Sequence, residues 1–194
     1  LSDAASKRLD ILVSSRNSLP VSESMALQVD NDQLGKSAIK DSYSPNYWWV
    51  NQNQTFKEEF SGGYLWSPKI KSNGAKNQFY DNMTLVRSGD VVMSFADRYI
   101  KAIGIATETA STRPKPKQFG DNWNHADEEG WYVPVDYTEL QNPILPREHM
   151  DVLGPLQPSK YYPLQRNGNG LQGVYLASLP AEMWKALVEL LSGQ

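Results

Sequence analysis

The chain has 194 residues, enough for one compact domain with a sizeable core and an appendage. It carries 19 basic and 22 acidic residues, so its overall charge does not indicate a nucleic-acid partner. The absence of cysteine excludes disulfides, thiolate catalysis and cysteine-ligated zinc, and only two histidines argue against a histidine-rich metal centre.

The charge is unevenly distributed along the chain. Residues 60–117 contain nine Lys or Arg against four Asp or Glu, whereas residues 118–151 contain one against eight. Such an asymmetry can orient a polyanion on one side of a domain, although charge runs are often only solvated faces. Both interpretations stay open at this point.

Residues 1–45 differ from the rest. In DAASKRLDILVSSR the apolar residues Ala5, Leu9, Leu12 and Val13 form one helical stripe, and Pro20 ends the predicted helix. A polar linker follows, so this part is predicted to be an arm or the tail of a preceding domain. There is no signal peptide and no apolar run near the ~20 residues of a membrane span, so we expect a cytoplasmic protein without membrane contact.

Residues 46–194 are predicted to form the main domain. YWWVN and GGYLWSP indicate strands on either side of a short helix in NQTFKEEF. DVVMSFA and YIKAIGIAT predict a hairpin that turns at Asp97-Arg98. WYVPVDY predicts another strand, with Pro134 suggesting an edge or a bulge, and GVYLASL a late strand.

The chain ends with a predicted helix, PAEMWKALVELL, that begins near Pro180. Its buried stripe is predicted to consist of Met183, Trp184, Leu187, Val188 and Leu191. The mixed order of elements predicts an α+β domain, built on a small, strongly curved sheet or partly closed barrel flanked by short helices.

Two motifs suggest chemistry that their surroundings do not support. RNGNGLQG contains a formal GxGxxG, but a strand rather than a helix follows it, so we predict an exposed loop and no dinucleotide cofactor. HADEEGW groups four potential metal ligands in one acidic run, which is more typical of a solvated loop. No nucleophile and base are recognisable together, so no catalytic residue is predicted.

The tryptophans are the main positive signal. Five of the six lie between Trp48 and Trp131, and Trp123 and Trp131 flank a polar, acidic loop. One interpretation is that these aromatics only pack a small barrel. The other is that Trp66 and one loop tryptophan form a slot for a planar ring, as a nucleobase taken out of its stack requires.

Four stretches resemble a known family: YWWVNQNQTFKEEFSGGYLWSPK, NQFYDNMTLVRSGDVVMSFADRYIKAIGIAT, GWYVPVDY and PLQRNGNGLQGVYLA. Together they are similar to the EVE-type modified-base-reading domain of modification-dependent restriction endonucleases of the EVE-HNH type. The resemblance covers about residues 47–191. It implies a PUA-like fold, related to the YTH readers of methyladenine, that flips 5-methylcytosine or 5-hydroxymethylcytosine out of duplex DNA into an aromatic pocket.

The resemblance also implies a set of pocket residues. GGYLWSP is similar to the YTH run that ends in Gly-Ile-Trp, which makes Trp66 a cage wall and places the Ser67 backbone at the base edge. A second wall comes from Trp123 or Trp131, and Asn51 or Asn53 reads the base. Asp97 is a candidate acceptor for an exocyclic amine. The predicted base pocket is therefore Trp66, Ser67, Asn51, Asn53, Asp97, Trp123, Trp131 and Tyr64.

Basic and amide side chains around this pocket are predicted to hold the DNA backbone. They are Lys69, Lys71, Lys76, Arg87, Arg98, Lys101, Arg166, Asn167 and Asn169. The chain contains no HNH motif, so a nuclease or motor domain is expected elsewhere in the full-length protein. An RNA-binding or modified-RNA-reading PUA-like domain is the alternative, and a protein-interaction or small-ligand domain with purely structural aromatics is a third.

Overall fold

The computed structural model describes residues 44–120 and 129–193. The predicted N-terminal helix and linker, and Trp123, lie outside these ranges. Within them the strands are β1 (Tyr47–Asn51), β2 (Tyr64–Pro68), β3 (Val91–Ala96), β4 (Tyr99–Ala106), β5 (Ser111–Pro114), β6 (Glu129–Ile144) and β7 (Leu176–Leu179). The α-helices are α1 (Phe56–Gly62), α2 (Gln78–Asp81), α3 (Met150–Leu156) and α4 (Ala181–Ser192).

The strands form one mixed sheet in the order β2-β6-β4-β3-β1-β7, and β5 also pairs with β6. β1 and β3 are parallel, and the other pairs are antiparallel. The sheet curls into a half-barrel, and Tyr175, just before β7, reaches β2 at the other end of the strand order: its hydroxyl lies 3.0 Å from the Trp66 backbone nitrogen. The predicted α+β class with a strongly curved sheet is confirmed.

The predicted hairpin is β3–β4. Asp97 and Arg98 at its turn have φ of 50° and 73°, as the two central residues of a type I′ turn require. This turn matches the right-handed twist of the flanking strands, and the pairing of Ala96 with Tyr99 places it where the sequence indicated.

β6 is the longest strand, and the prediction of an edge at Pro134 was wrong. Residues 130–134 pair with β2 on one side and residues 129–132 with β5 on the other, whereas residues from Val135 onward pair with β4. The Pro134 carbonyl accepts from the Thr107 N–H at 3.0 Å. Because a strand residue directs its N–H and C=O to the same edge, the N–H that proline lacks falls in the gap between β4 and β5.

Both faces of the sheet are covered. Trp48 and Trp49 point to opposite faces of β1, yet both are buried. The α4 stripe packs as predicted, with all five of its residues buried, and Trp184 stacks on Tyr47 at a centroid distance of 5.0 Å. Exposure of an aromatic ring is therefore the exception in the described part of the chain.

Candidate nucleic-acid interface

Trp131 lies where β2, β6 and β5 run side by side. It is paired with Ser67 on β2 and with Thr112 on β5, so these three side chains share one face of the sheet. Lys69 follows β2 on the same face, and its Nζ lies 4.8 Å from the centroid of the Trp131 ring. Trp131 is partly buried and packs against the hydrophobic core, and the Lys69 cation lies over its ring.

Two buried polar atoms at this place have no hydrogen-bond partner among the described residues. They are the Ser67 Oγ and the Trp131 Nε1, and they belong to residues directly opposite each other on β2 and β6. Buried polar groups are nearly always paired in folded proteins, and an unpaired one requires a reason. Here both are donors, so together they match an acceptor on an entering ligand.

The opposite face of the same strands carries a second cation–aromatic pair. The Arg113 guanidinium lies 5.5 Å from the centroid of the Tyr132 ring. Arg113 and Lys117 are exposed and Lys115 is half-buried, and Glu129 at the start of β6 is exposed as well. The sequence interpretation did not single out β5 or Arg113, although the basic, proline-rich stretch TRPKPK was the available signal. We call Ser67, Lys69 and Trp131, which share one face of the sheet, the β2–β6–β5 surface; Arg113 and Tyr132 lie on the opposite face.

Trp66 does not line an open slot, contrary to the expectation. It is 0% exposed, its indole N–H donates to the Arg113 carbonyl at 3.3 Å, and Phe119 packs edge-on against it at 5.6 Å. Tyr64 lies in the same buried cluster with Phe119 and Tyr132. As arranged here, Trp66 and Tyr64 belong to the hydrophobic core, because Phe119, 53 positions along the chain from Trp66, covers them.

The two candidate asparagines have structural partners. The Asn51 side chain accepts from the Trp49 indole N–H and donates to the Val174 carbonyl, both at 2.9 Å, and so ties β1 to the segment before β7. Asn53 accepts from the Asp97 N–H at 3.0 Å, which places it at the β3–β4 turn. Asp97 is exposed and pairs with Lys101.

This β3–β4 turn lies far from Trp131 along the sheet. Ile100, just after the turn, pairs with Ile144 at the end of β6, whereas Trp131 is near its beginning. Four of the predicted site residues lie at or beside this turn, and they are therefore remote from Trp131 along β6. They are Asn53, Asp97, Arg98 and Lys101.

The remaining predicted backbone contacts are dispersed. Lys71, Lys76, Arg87 and Arg166 are exposed. Arg166, Asn167 and Asn169 belong to a tight turn closed by the Leu164–Gly170 bridge, not to the open loop that was expected. Gly168 has φ of 78°, and a Cβ there would lie 2.4 Å from the Arg147 Cα, so a glycine is required at this position.

Comparison with known proteins gives the fold. No protein-family model and no curated protein matches the sequence. Among solved structures, a hypothetical protein from Leishmania major is 9% identical with a TM-score of 0.53, covering 78% of this chain and 97% of that one. Human THYN1, crystallised in complex with DNA containing 5-methylcytosine, is 11% identical with a TM-score of 0.50, covering 77% and 99%.

The fold is PUA-like. Within this PUA-like sheet, β2 is an edge strand, and the chain protects its open edge. The Trp66 N–H donates to the Glu59 Oε1 at 2.8 Å, the Tyr137 hydroxyl donates to the Tyr64 carbonyl at 3.4 Å, and Pro68 has no N–H. The outward backbone groups of Trp66 and Tyr64 in this strand are thereby paired within the chain.

Glu59 is the centre of this edge protection. Its carboxylate is fully buried and also accepts from the Tyr175 hydroxyl, from the Gln52 Nε2 at 2.7 Å and from the Thr55 hydroxyl at 3.0 Å. Burial raises the pKa of Glu59 from 4.5 to about 7, and the hydrogen bonds to its charged form lower it in part. The same burial, with the nearby Glu59 charge, raises the pKa of Tyr175 and Tyr137.

The described ranges 44–120 and 129–193 contain no cluster of three or more side chains suited to a metal ion. In the same ranges, no helix is long and apolar enough to cross a membrane.

Proposed function

We propose that this chain binds duplex DNA that contains a modified cytosine, 5-methylcytosine or 5-hydroxymethylcytosine, and that it receives the flipped base at the β2–β6–β5 surface. The observation that carries the proposal is the pair of unpartnered buried polar atoms, Ser67 Oγ and Trp131 Nε1, beside the partly buried Trp131 ring. The PUA-like fold shared with human THYN1, which was crystallised with 5-methylcytosine DNA, supports it.

The chemistry of a flipped cytosine matches these donors. Outside the duplex, a cytosine exposes two acceptors, O2 and N3, on its Watson–Crick edge, and a stacking ring provides affinity for its face. The Ser67 hydroxyl satisfies one such acceptor while the base stacks on the Trp131 ring, and the Trp131 N–H, which lies in the ring plane, is available to an acceptor on the sugar or phosphate of the same nucleotide. In the free protein Lys69 lies over this ring, so a base that takes its place releases the ammonium to a phosphate.

Phosphate contacts come from the basic residues around the surface. Arg113, Lys115 and Lys117 lie at β5 and directly after it, and Lys69 directly follows β2. Because the chain as a whole is acidic, with a net charge of −3, only this local excess can attract DNA. Discrimination of the methyl group is expected to be modest, since burial of one methyl is worth about 1 kcal/mol, or roughly fivefold in affinity.

In this proposal the chain is a specificity domain of the EVE type, without catalytic residues of its own. A nuclease or motor domain elsewhere in the full-length protein then acts on the DNA that the domain selects, as in a modification-dependent restriction system. This second part of the proposal is tested separately from base reading. It is supported if the full-length protein cleaves DNA only when the DNA contains 5-methylcytosine.

The test is fluorescence anisotropy with matched duplexes that differ only in one cytosine, 5-methylcytosine or 5-hydroxymethylcytosine, together with RNA of the same sequence. We expect preference for a modified duplex, and an increase in 2-aminopurine fluorescence next to the modified base as it leaves the stack. Trp131→Phe, which keeps a ring but lacks the N–H, should weaken modified and plain duplexes alike, because the acceptor that meets the N–H is common to both. Equal affinity for modified and plain duplexes refutes the proposal, and tighter binding of the RNA favours an RNA reader.

A further inference from the structure

A groove lies along the free edge of β7, apart from the residues of the β2–β6–β5 surface. Its volume is about 390 Å³, within the range of small-molecule sites. β7 pairs only with β1, so its other edge borders this groove. The residues that line it and enter the argument are Gln78, Asn82, Lys160, Tyr161, Ser178 and Pro180.

The backbone of Ser178 faces the groove. The Asn51 N–H donates to the Tyr175 carbonyl at 2.8 Å, which fixes the alternation of hydrogen bonds between β1 and β7. By this alternation Leu176 and Ser178 direct their N–H and C=O groups away from β1. The Asn82 side chain confirms the direction, because its Nδ2 donates to the Leu176 carbonyl at 2.8 Å. Ser178 therefore presents an adjacent donor and acceptor to the groove.

Tyr161 forms the aromatic wall. It is 58% exposed and has φ of 61°, a left-handed conformation that residues other than glycine rarely adopt. Its ring meets Phe79 almost perpendicularly, with centroids 5.8 Å apart, so the exposed ring is held in place. Lys160 precedes it, and it is the one charged residue among those that line the groove.

An extended peptide fits this edge poorly. Strand addition needs a series of outward N–H and C=O groups, but the Leu176 carbonyl is occupied by Asn82 and Pro180 has no N–H. The groove instead suits a planar heterocycle attached to a phosphate. Ser178 supplies a backbone donor and acceptor for the edge of the heterocycle, Tyr161 an exposed ring for its face and Lys160 a cation for the phosphate. We propose that the β7 groove is a second binding site, which takes a nucleotide, either free or within single-stranded nucleic acid.

The base stacks on Tyr161, its polar edge pairs with the Ser178 backbone, and its phosphate meets Lys160. Base–aromatic stacking tolerates any base, so the site is expected to select for the nucleotide class rather than for one base. The proposal does not depend on base reading at Trp131, because none of the groove residues belongs to that surface.

The test is nuclear magnetic resonance of the 194-residue chain titrated with four mononucleotides, with ribose 5-phosphate and with a ten-residue oligothymidine. Mononucleotides should shift the Ser178 amide resonance, and ribose 5-phosphate should bind more weakly because it lacks the ring. Tyr161→Ala should weaken nucleotide binding about tenfold, the effect of losing one stacking ring. Tyr162→Ala, the matched control at the exposed neighbouring tyrosine, should leave it unchanged. Oligothymidine that binds much more tightly than the mononucleotides identifies single strands as the source.

Three results would overturn the proposal: no nucleotide or oligothymidine shifts the Ser178 amide, both tyrosine variants lose the same affinity, or an unstructured acidic peptide alone shifts that amide. Affinity of Tyr161→Ala for the 5-methylcytosine duplex, which should equal that of the wild type, separates this site from the proposed base reader.

Discussion

Ser67 combines a fully buried position with a hydroxyl that bonds to nothing in the described part of the chain. A structural serine would be paired, because an unpaired buried hydroxyl costs about 1–3 kcal/mol. If the hydroxyl binds a ligand, the free protein is destabilised by this amount, and the hydrogen bond formed with the ligand removes the destabilisation. Stability and binding should therefore respond in opposite directions at this residue.

We predict that Ser67→Ala leaves the melting temperature unchanged or raises it, and weakens binding of the 5-methylcytosine duplex about fivefold, the value of one net hydrogen bond of ~1 kcal/mol. Thermal unfolding and anisotropy on the same preparation measure both. Ser61→Ala, at an exposed serine of α1, should change neither. Destabilisation with unchanged DNA affinity would assign Ser67 to the structure alone.

The raised pKa of Glu59 predicts that the free energy of unfolding depends on pH. Its folded pKa, about 7, lies above the ordinary value of 4.5, so the folded state binds the proton more tightly than the unfolded state does. The resulting stabilisation is complete below about pH 4.5 and is lost as the pH rises through 7, by about 3 kcal/mol in all. The protonated form has an available partner, since the Gln52 Oε1 is unpaired and a rotated amide can accept from it.

Urea unfolding between pH 4.5 and 8 should therefore give a free energy of unfolding that falls with pH in the wild type and less steeply in Glu59→Gln. Glu58→Gln, the neighbouring half-buried residue of α1, is the control and should follow the wild type. Identical slopes for the wild type and Glu59→Gln would show that Glu59 does not titrate in this range.

At the scale of elements, the β3–β4 turn affects the stability of the fold independently of the proposed DNA-binding residues. Arg98 has φ of 73°, which a glycine adopts without the steric cost that a Cβ brings. The predicted role of Arg98 in DNA binding remains a prediction, and its place at the far end of β6 from Trp131 argues for a small contribution.

Arg98→Gly should raise the free energy of unfolding by up to about 1 kcal/mol, with little change in affinity for the 5-methylcytosine duplex. Chemical denaturation and anisotropy measure the two effects. Lys69→Ala serves for comparison, because it removes the cation beside Trp131. A loss of affinity in Arg98→Gly as large as that in Lys69→Ala would place the turn in the DNA interface.

At the scale of the whole molecule, the charge distribution determines how DNA can be bound. In the proposed complex, the net charge of −3 means that attraction must come from local cations, of which Lys69, Arg113, Lys115 and Lys117 lie in or next to β2 and β5. The logarithm of the binding constant should fall with the logarithm of the salt concentration by about 0.9 per neutralised phosphate, or roughly 3–4 for these four cations.

Lys117→Gln should reduce that slope by about one and weaken plain and methylated duplexes equally, since phosphate contacts carry no information on the base. Lys185→Gln, at an exposed lysine of α4, should have no effect. Equal slopes for the wild type and Lys117→Gln would exclude this residue from the phosphate contacts.

The secondary structure was largely predictable, because each element carries a local signal. The alternation and β-rich composition around YWWVN, the Asp97-Arg98 turn and the apolar stripe of α4 all correspond to observed elements. Strand β5, helix α3 and the full length of β6 were not predicted. β5 is largely exposed, and it exists because β6 offers it an edge rather than because of any apolar pattern of its own.

The site was less predictable. The sequence by itself determined that no cysteine chemistry was available, and it predicted the α+β class correctly. Only the tertiary structure decided that Trp66 is fully buried while Trp131 is partly buried. Trp66 and Ser67 are neighbours in β2 and so face opposite sides of the sheet, and Trp66 is covered because Phe119, a residue distant in sequence, packs over it.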